Sequence, residues 1–151
     1  MDDFREYLNR PRDLIAQLND IDVRAEGLWD ACTKVSTTFG SECVRGSGGS
    51  SKDGPLAAYA DVVGDRELIK IELAETLHEM KDFLTRVERL GGEHGARDAE
   101  LLRSRYIKLY SWPEVIEALA QAGFECGCLR TVHNWHLGSL ERAEQIWEER
   151  Q

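Results

Sequence analysis

Residues 111–140 read SWPEVIEALAQAGFECGCLRTVHNWHLGSL. Ser111-Trp112-Pro113-Glu114 is a capping box with proline in the first turn, which marks a helix start. Val115, Ile116, Leu119 and Ala120 follow at helical spacing. Gly123 ends that helix, as glycine commonly does just past a C-terminus. A second helix begins near Cys128, with Leu129, Val132, Trp135 or His136, and Leu140 as candidates for its inner face. Two short helices, a glycine-containing turn and a polar outer face on the second helix are the parts of a DNA-reading motif.

Upstream, apolar residues keep a 4-3 spacing: Leu14, Leu18, Ile21, Ala25, Leu28, Cys32, Val35 and Phe39. A heptad seam of this length predicts a coiled-coil helix. Pro11 is expected in its first turn, with Asn9 as cap and residues 3–8 as a short preceding turn. A second seam runs through Leu56, Tyr59, Val63, Ile69, Leu73, Leu77, Met80, Leu84 and Val87. Gly64-Asp65 is a point at which this helix kinks or restarts, with Asp65 as cap. Between the seams, residues 40–54 are rich in glycine and serine and carry no periodicity, so they predict a flexible loop. They lack the GxxxxGK[ST] pattern of a phosphate cradle.

Two helices of matched length joined by such a loop predict an antiparallel hairpin. Gly91-Gly92-Glu93-His94-Gly95 closes the second helix. A short amphipathic helix through Leu101, Leu102, Tyr106 and Leu109 then opens a compact head, and the last helix runs from about Leu129 to Glu149. The expected fold is all-α. A coiled-coil hairpin spans residues 1–92, including the loop at 40–54, and a three-helix helix-turn-helix head spans 96–151. A two-helix hairpin has a thin core, which predicts self-association.

Composition narrows the function. The 151 residues are 31% charged and 42% hydrophobic, with three prolines, which argues against an all-β protein. No apolar run approaches the roughly 18 residues of a membrane span. The N-terminal MDDFREYLNRPRD lacks the apolar h-region of a signal peptide, so the expected location is cytoplasmic. The net charge is −9, an objection to nucleic-acid binding. Most of that acidity lies before residue 96, outside the reader. Phosphate neutralisation supplies most non-specific affinity, so one copy should bind DNA weakly and a dimer better.

No catalytic motif is present, neither G-x-S-x-G nor HExxH nor a Walker sequence, so no enzymatic role and no cofactor are expected. Cys126, Cys128, His133 and His136 are all zinc-type ligands. A C-x-C separated by four residues from the first histidine is not a common zinc spacing. In a reducing compartment the four cysteines are expected to be free thiols, with Cys32 as plain core. Trp112 and Trp135 read as core fillers.

The base-reading candidates are outward residues at the start of the last helix: Leu129, Arg130, His133, Asn134 and Leu137. Arginine can grip guanine through O6 and N7, and asparagine can pair with adenine. Thr131, Arg105 and Lys108 can contact phosphate.

The run from Leu101 to Leu140 resembles the helix-turn-helix of sigma-70 region 4. It holds a tyrosine-containing helix (Arg105-Tyr106), then Ser-Trp-x-Glu-Val-Ile, a turn, and Arg-Thr-Val-x-Asn-Trp-His. The whole chain resembles small phage and prophage regulators of late-gene transcription. These carry a helical hairpin, a Gly-Ser loop (here Arg45-Gly46-Ser47-Gly48-Gly49-Ser50) and a sigma-like head. The resemblance implies a sequence-specific DNA-binding transcription regulator in which Arg130, His133 and Asn134 meet bases. The turn, Ala122 to Gly127, looks longer than the usual pattern. Implied partners are double-stranded DNA, RNA polymerase and a second copy of the chain, with no membrane. Two alternatives remain: a small terminase-like packaging subunit, and a protein-interaction module that contacts RNA polymerase without touching DNA.

Overall fold

The structure, a computed structural model, describes residues 2–37 and 54–150. The glycine-serine loop, Phe39 and Cys43 lie outside the described residues, as do the side chains of residues 35–37. The fold is all-α, with no strand among the described residues. Helix α1 spans Asp2–Thr37, α2 Pro55–Leu90, α3 Gly95–Leu102, α4 Trp112–Gln121 and α5 Leu129–Glu148. A 3-10 turn at Gly92–His94 precedes α3, and a π turn at Arg103–Ile107 follows it. Contacts group the chain into two compact units, one of Met1–Asp13 with Ala74–Gln151 and one of Leu14–Leu73.

Four expectations about the helix boundaries give way. Helix α1 begins at Asp2, so residues 3–8 are helix and Pro11 is interior rather than in the first turn. Asn9 does not cap; its amide donates to the Arg5 carbonyl at 2.8 Å, inside the helix. An interior proline costs about 3 kcal/mol. The compensation is burial, because Phe4 and Leu8 are each 1% exposed in the core of the first unit. Gly64-Asp65 does not restart α2 and Asp65 is not a cap, because α2 is a single helix of 36 residues. Leu56, placed on the second seam, is 67% exposed, and Val62 takes the inward position at 8%.

The first unit builds one core. Phe4 and Leu8 of α1 and Met80, Phe83, Leu84 and Val87 of α2 join Leu101 and Leu102 of α3. Val115 and Leu119 of α4 and Val132, Leu140, Ala143 and Ile146 of α5 complete it. The Phe4 ring meets Phe83 edge-on at 6.0 Å and Trp147 at 5.7 Å. Residues 1–13 and 74–90, expected with the helical pair, thus cluster with the carboxy-terminal helices.

A buried charge fixes α5 on α3. Asp98 of α3 is fully buried. It accepts from Ser139 Oγ at 2.7 Å, and from Arg142 Nε at 2.6 Å and a terminal guanidinium nitrogen at 2.9 Å. A buried carboxylate is tolerated only with such partners.

In the second unit, Leu14, Ile21 and Val62 are buried. Asp22 pairs with Arg66 at 2.7 Å, and the Trp29 and Tyr59 rings lie 5.4 Å apart. Numbers on α2 fall as those on α1 rise. Leu18, Ala25, Leu28 and Cys32 are half-buried on the same seam. No helix among the described residues is long and apolar enough to cross a membrane.

Candidate nucleic-acid interface

Helix α4 starts where its sequence demands. The Ser111 backbone N–H and hydroxyl both donate to the Glu114 carboxylate, at 2.7 and 2.8 Å. The backbone bond first, then the hydroxyl, holds the Glu114 carboxyl below its ordinary pKa. Helix α4 ends in a Schellman closure. Gly123 N–H bonds the Ala120 carbonyl at 3.1 Å, and Phe124 N–H the Leu119 carbonyl at 2.8 Å. The closure needs Gly123 at φ 91°, a left-handed value open to glycine. Phe124 then packs on the core. Residues 122–128 separate α4 from α5, a longer turn than the usual three or four residues.

Cys128 is the residue before α5, in extended conformation. Its Sγ lies 3.3 Å from Thr131 Oγ1. Hydrogen bonds from the Thr131 side chain and backbone, then from the Arg130 backbone, lower the thiol's pKa. Burial raises that of Cys126.

The first turns of α5 present a clear division of faces. Val132 is fully buried, and Trp135 and His136 are half-buried. Arg130, His133 and Asn134 are exposed; Leu129 is 46% and Leu137 56% exposed. Thr131 is half-buried beside Cys128. The exposed face also carries Glu141, one turn beyond Leu137, which the sequence reading did not weigh. Although exposed, the His133 ring meets Trp112 edge-on at 4.6 Å, and this contact orients it.

The two phosphate candidates outside α5 are each engaged within the protein. Arg105 is half-buried, stacks over Trp112 at 4.6 Å and donates to the Tyr110 carbonyl at 2.8 Å. Lys108 is exposed, 3.7 Å from the Glu100 carboxylate and 5.6 Å from the centre of the Tyr110 ring. Leu109, expected on the apolar face, is 36% exposed and stands at φ 56°. The reason is the π turn, in which the Lys108 N–H reaches back to the Arg103 carbonyl and the Tyr110 N–H to Ser104. That winding breaks the helical spacing that had aligned Leu109 with Tyr106.

His136 and Tyr106 are both half-buried and meet beside the exposed face of α5. The Tyr106 hydroxyl lies 3.0 Å from His136 Nε2. Burial, then the charges of Arg105, His133 and Arg5, pull the His136 pKa down to about 4. The ring is therefore neutral at pH 7. Burial raises the Tyr106 pKa, so the phenol keeps its proton. Trp135 is capped by the Arg97 guanidinium, 4.5 Å from the ring centre. No group of three His, Cys, Asp or Glu among the described residues is arranged to hold a metal, and this includes Cys126, Cys128, His133 and His136.

Compared with known proteins, the chain matches no family model, no curated protein and no solved structure.

Proposed function

We propose that this protein is a sequence-specific, duplex-DNA-binding transcription regulator of the phage or prophage type, acting in the cytoplasm as a homodimer and without catalysis. In this reading α3, α4 and α5 are a helix-turn-helix head of sigma-70 region 4 type, and the remainders of α1 and α2 are a coiled-coil hairpin. The observation that carries the proposal is the leading face of α5. Arg130, Asn134 and Leu137 stand exposed on successive turns while Val132 and the Asp98 anchor hold the helix from the opposite side. A base-reading helix needs that combination of exposed hydrogen-bonding groups and rigid support. Arg130 and Asn134 are the base readers, with Leu129, His133 and Leu137 beside them. Thr131, Arg105 and Lys108 serve phosphates.

Dimerisation is supported by a second apolar stripe on α2. Ala57, Ala60, Gly64, Leu68 and Ile71 recur at helical spacing, and Leu68 and Ile71 are 67% and 55% exposed. A second copy would supply the phosphate contacts that an acidic monomer lacks. One specific observation favours a different partner. Leu129 and Leu137 flank the polar readers, and Glu141 shares their face, which suits a protein surface such as RNA polymerase better than a phosphate backbone. Selection of binding sites from random duplexes by the purified protein separates the two. Enrichment of a repeated half-site supports DNA reading, and no enrichment supports the protein partner.

A further inference from the structure

The chain carries a net charge of −9. Nevertheless, one cavity in the first unit has no carboxylate in its lining. It encloses about 150 Å³ and is lined by Asn9 and Arg12 of α1, Arg105 and Tyr106 of the π turn, Trp112 of α4 and His136 of α5. Arg5, Asn9 and Arg12 recur every four and three residues, so they share one face of α1. The Arg5 charge reaches both rings: it adds to the lowering of the His136 pKa and opposes the rise that burial gives Tyr106. Neither Arg5, Arg12 nor Arg105 has an ion-pair partner among the described residues. Arg105 is already aimed, by stacking on Trp112 and by its bond to the Tyr110 carbonyl.

A second feature marks the same place. Leu109, which also lines the cavity, holds a positive φ of 56°. A non-glycine residue in that region is strained, and such strain gathers at ligand-binding sites. The strain follows from the π turn, which brings Arg105 and Tyr106 to the cavity; single π turns in helices occur often at functional sites.

We infer that this cavity is an oxyanion site that takes one phosphate group between Arg12 and Arg105, with the Asn9 amide as a further donor. Arginine suits the task because its planar fork matches phosphate oxygens and stays charged. The volume corresponds to roughly five water molecules at about 30 Å³ each, enough for a phosphate group. The phosphate is either a free phosphate group or one from a DNA backbone. The site does not depend on base reading by α5.

The test is calorimetric titration of the full chain with inorganic phosphate, with chloride at matched ionic strength as the control. Saturable binding absent from the chloride control is expected. Arg12 is exposed, so Arg12→Ala leaves the core intact; loss of one charged contact should weaken binding about tenfold or more. Asn9→Ala should weaken it by less, and Arg24→Ala not at all. No saturable binding, or an unchanged affinity in both Arg12→Ala and Asn9→Ala, overturns the inference. Competition identifies the source. If a random duplex displaces phosphate, the site serves a DNA backbone; if phosphate binds equally with duplex present, it serves a free anion. Both results uphold the site, and phosphate binding by a protein that ignores duplex DNA would sink only the reading in the previous section.

Discussion

Replacing Asp98 with alanine removes the only buried carboxylate among the described residues and strands the groups that converge on it. Asp98 has no exposed surface and accepts three hydrogen bonds of 2.6–2.9 Å, two of them from Arg142. Breaking a buried pair from one side typically costs about 3–5 kcal/mol, mostly from the orphaned partner. Here the lower end applies. The Arg142 side chain is 34% exposed, so water takes over part of its lost bonding. Ser139 keeps the Trp135 carbonyl as an acceptor at 2.7 Å and adds little. A loss of about 3 kcal/mol is a large part of a typical domain stability of about 5–15 kcal/mol. With a urea slope of about 2 kcal/mol/M, the midpoint falls by about 1.5 M. The assay is urea denaturation followed by circular dichroism, with the exposed Asp82→Ala as a control that should not move the midpoint. A double cycle with Arg142→Ala should show strong coupling, because the second change removes the stranded charge. An Asp98→Ala midpoint indistinguishable from the parent would refute the reasoning, since α5 would then be held without its charged anchor.

Three further outcomes follow from the same packing. Phe4→Ala should destabilise the first unit by about 3–5 kcal/mol, as for a buried aromatic, and the loss should appear in thermal unfolding; an effect near zero would mean residues 2–13 are not part of that core. Gly91→Ala places its new methyl 2.6 Å from the Val87 carbonyl oxygen and 2.7 Å from Gly95 Cα. Both are backbone, so the Tm should drop, whereas Gly64→Ala meets nothing within 4 Å and should hold or raise it. His136, neutral in the folded protein down to about pH 4, is protonated in the unfolded chain below its ordinary 6.5. The unfolded state binds the extra proton in that window, so stability is full above pH 6.5 and declines as the pH falls towards 4. His136→Gln should flatten that part of the pH–stability curve.

Local signals were legible because they are written in adjacent residues. The Ser111–Glu114 box, the Gly123 stop and the Gly91-Gly92 end of α2 each need only a few neighbours, and each of these helix ends stands where it was expected. The inward positions of Leu14, Ile21, Met80, Leu84 and Val87 follow from periodicity alone. What escaped depends on distant parts of the chain. Pro11 read as a first-turn marker, and only the burial of Phe4 and Leu8 against α2 explains why the helix runs through it. Asp98 and Arg142 lie 44 residues apart, and nothing in either neighbourhood marks them as partners. The cavity arginines came from two segments, of which only Arg105 had drawn notice, and that as a surface phosphate contact. The π turn has no simple spacing signal, so periodicity alone sets Leu109 on the apolar face although it is exposed. The exposed set on α5 was readable from helical geometry, since it is the complement of the buried Val132.

The most direct test of base reading by α5 is to repeat the random-duplex selection with Arg130→Ala and Asn134→Ala, which change exposed side chains and should leave the helix content intact. Each variant should lose preference at its own base position, with specific affinity reduced by about 1–3 kcal/mol and random-duplex affinity much less affected. Variants that select the parental sequence unchanged, or that lose specific and random binding equally, would contradict the account.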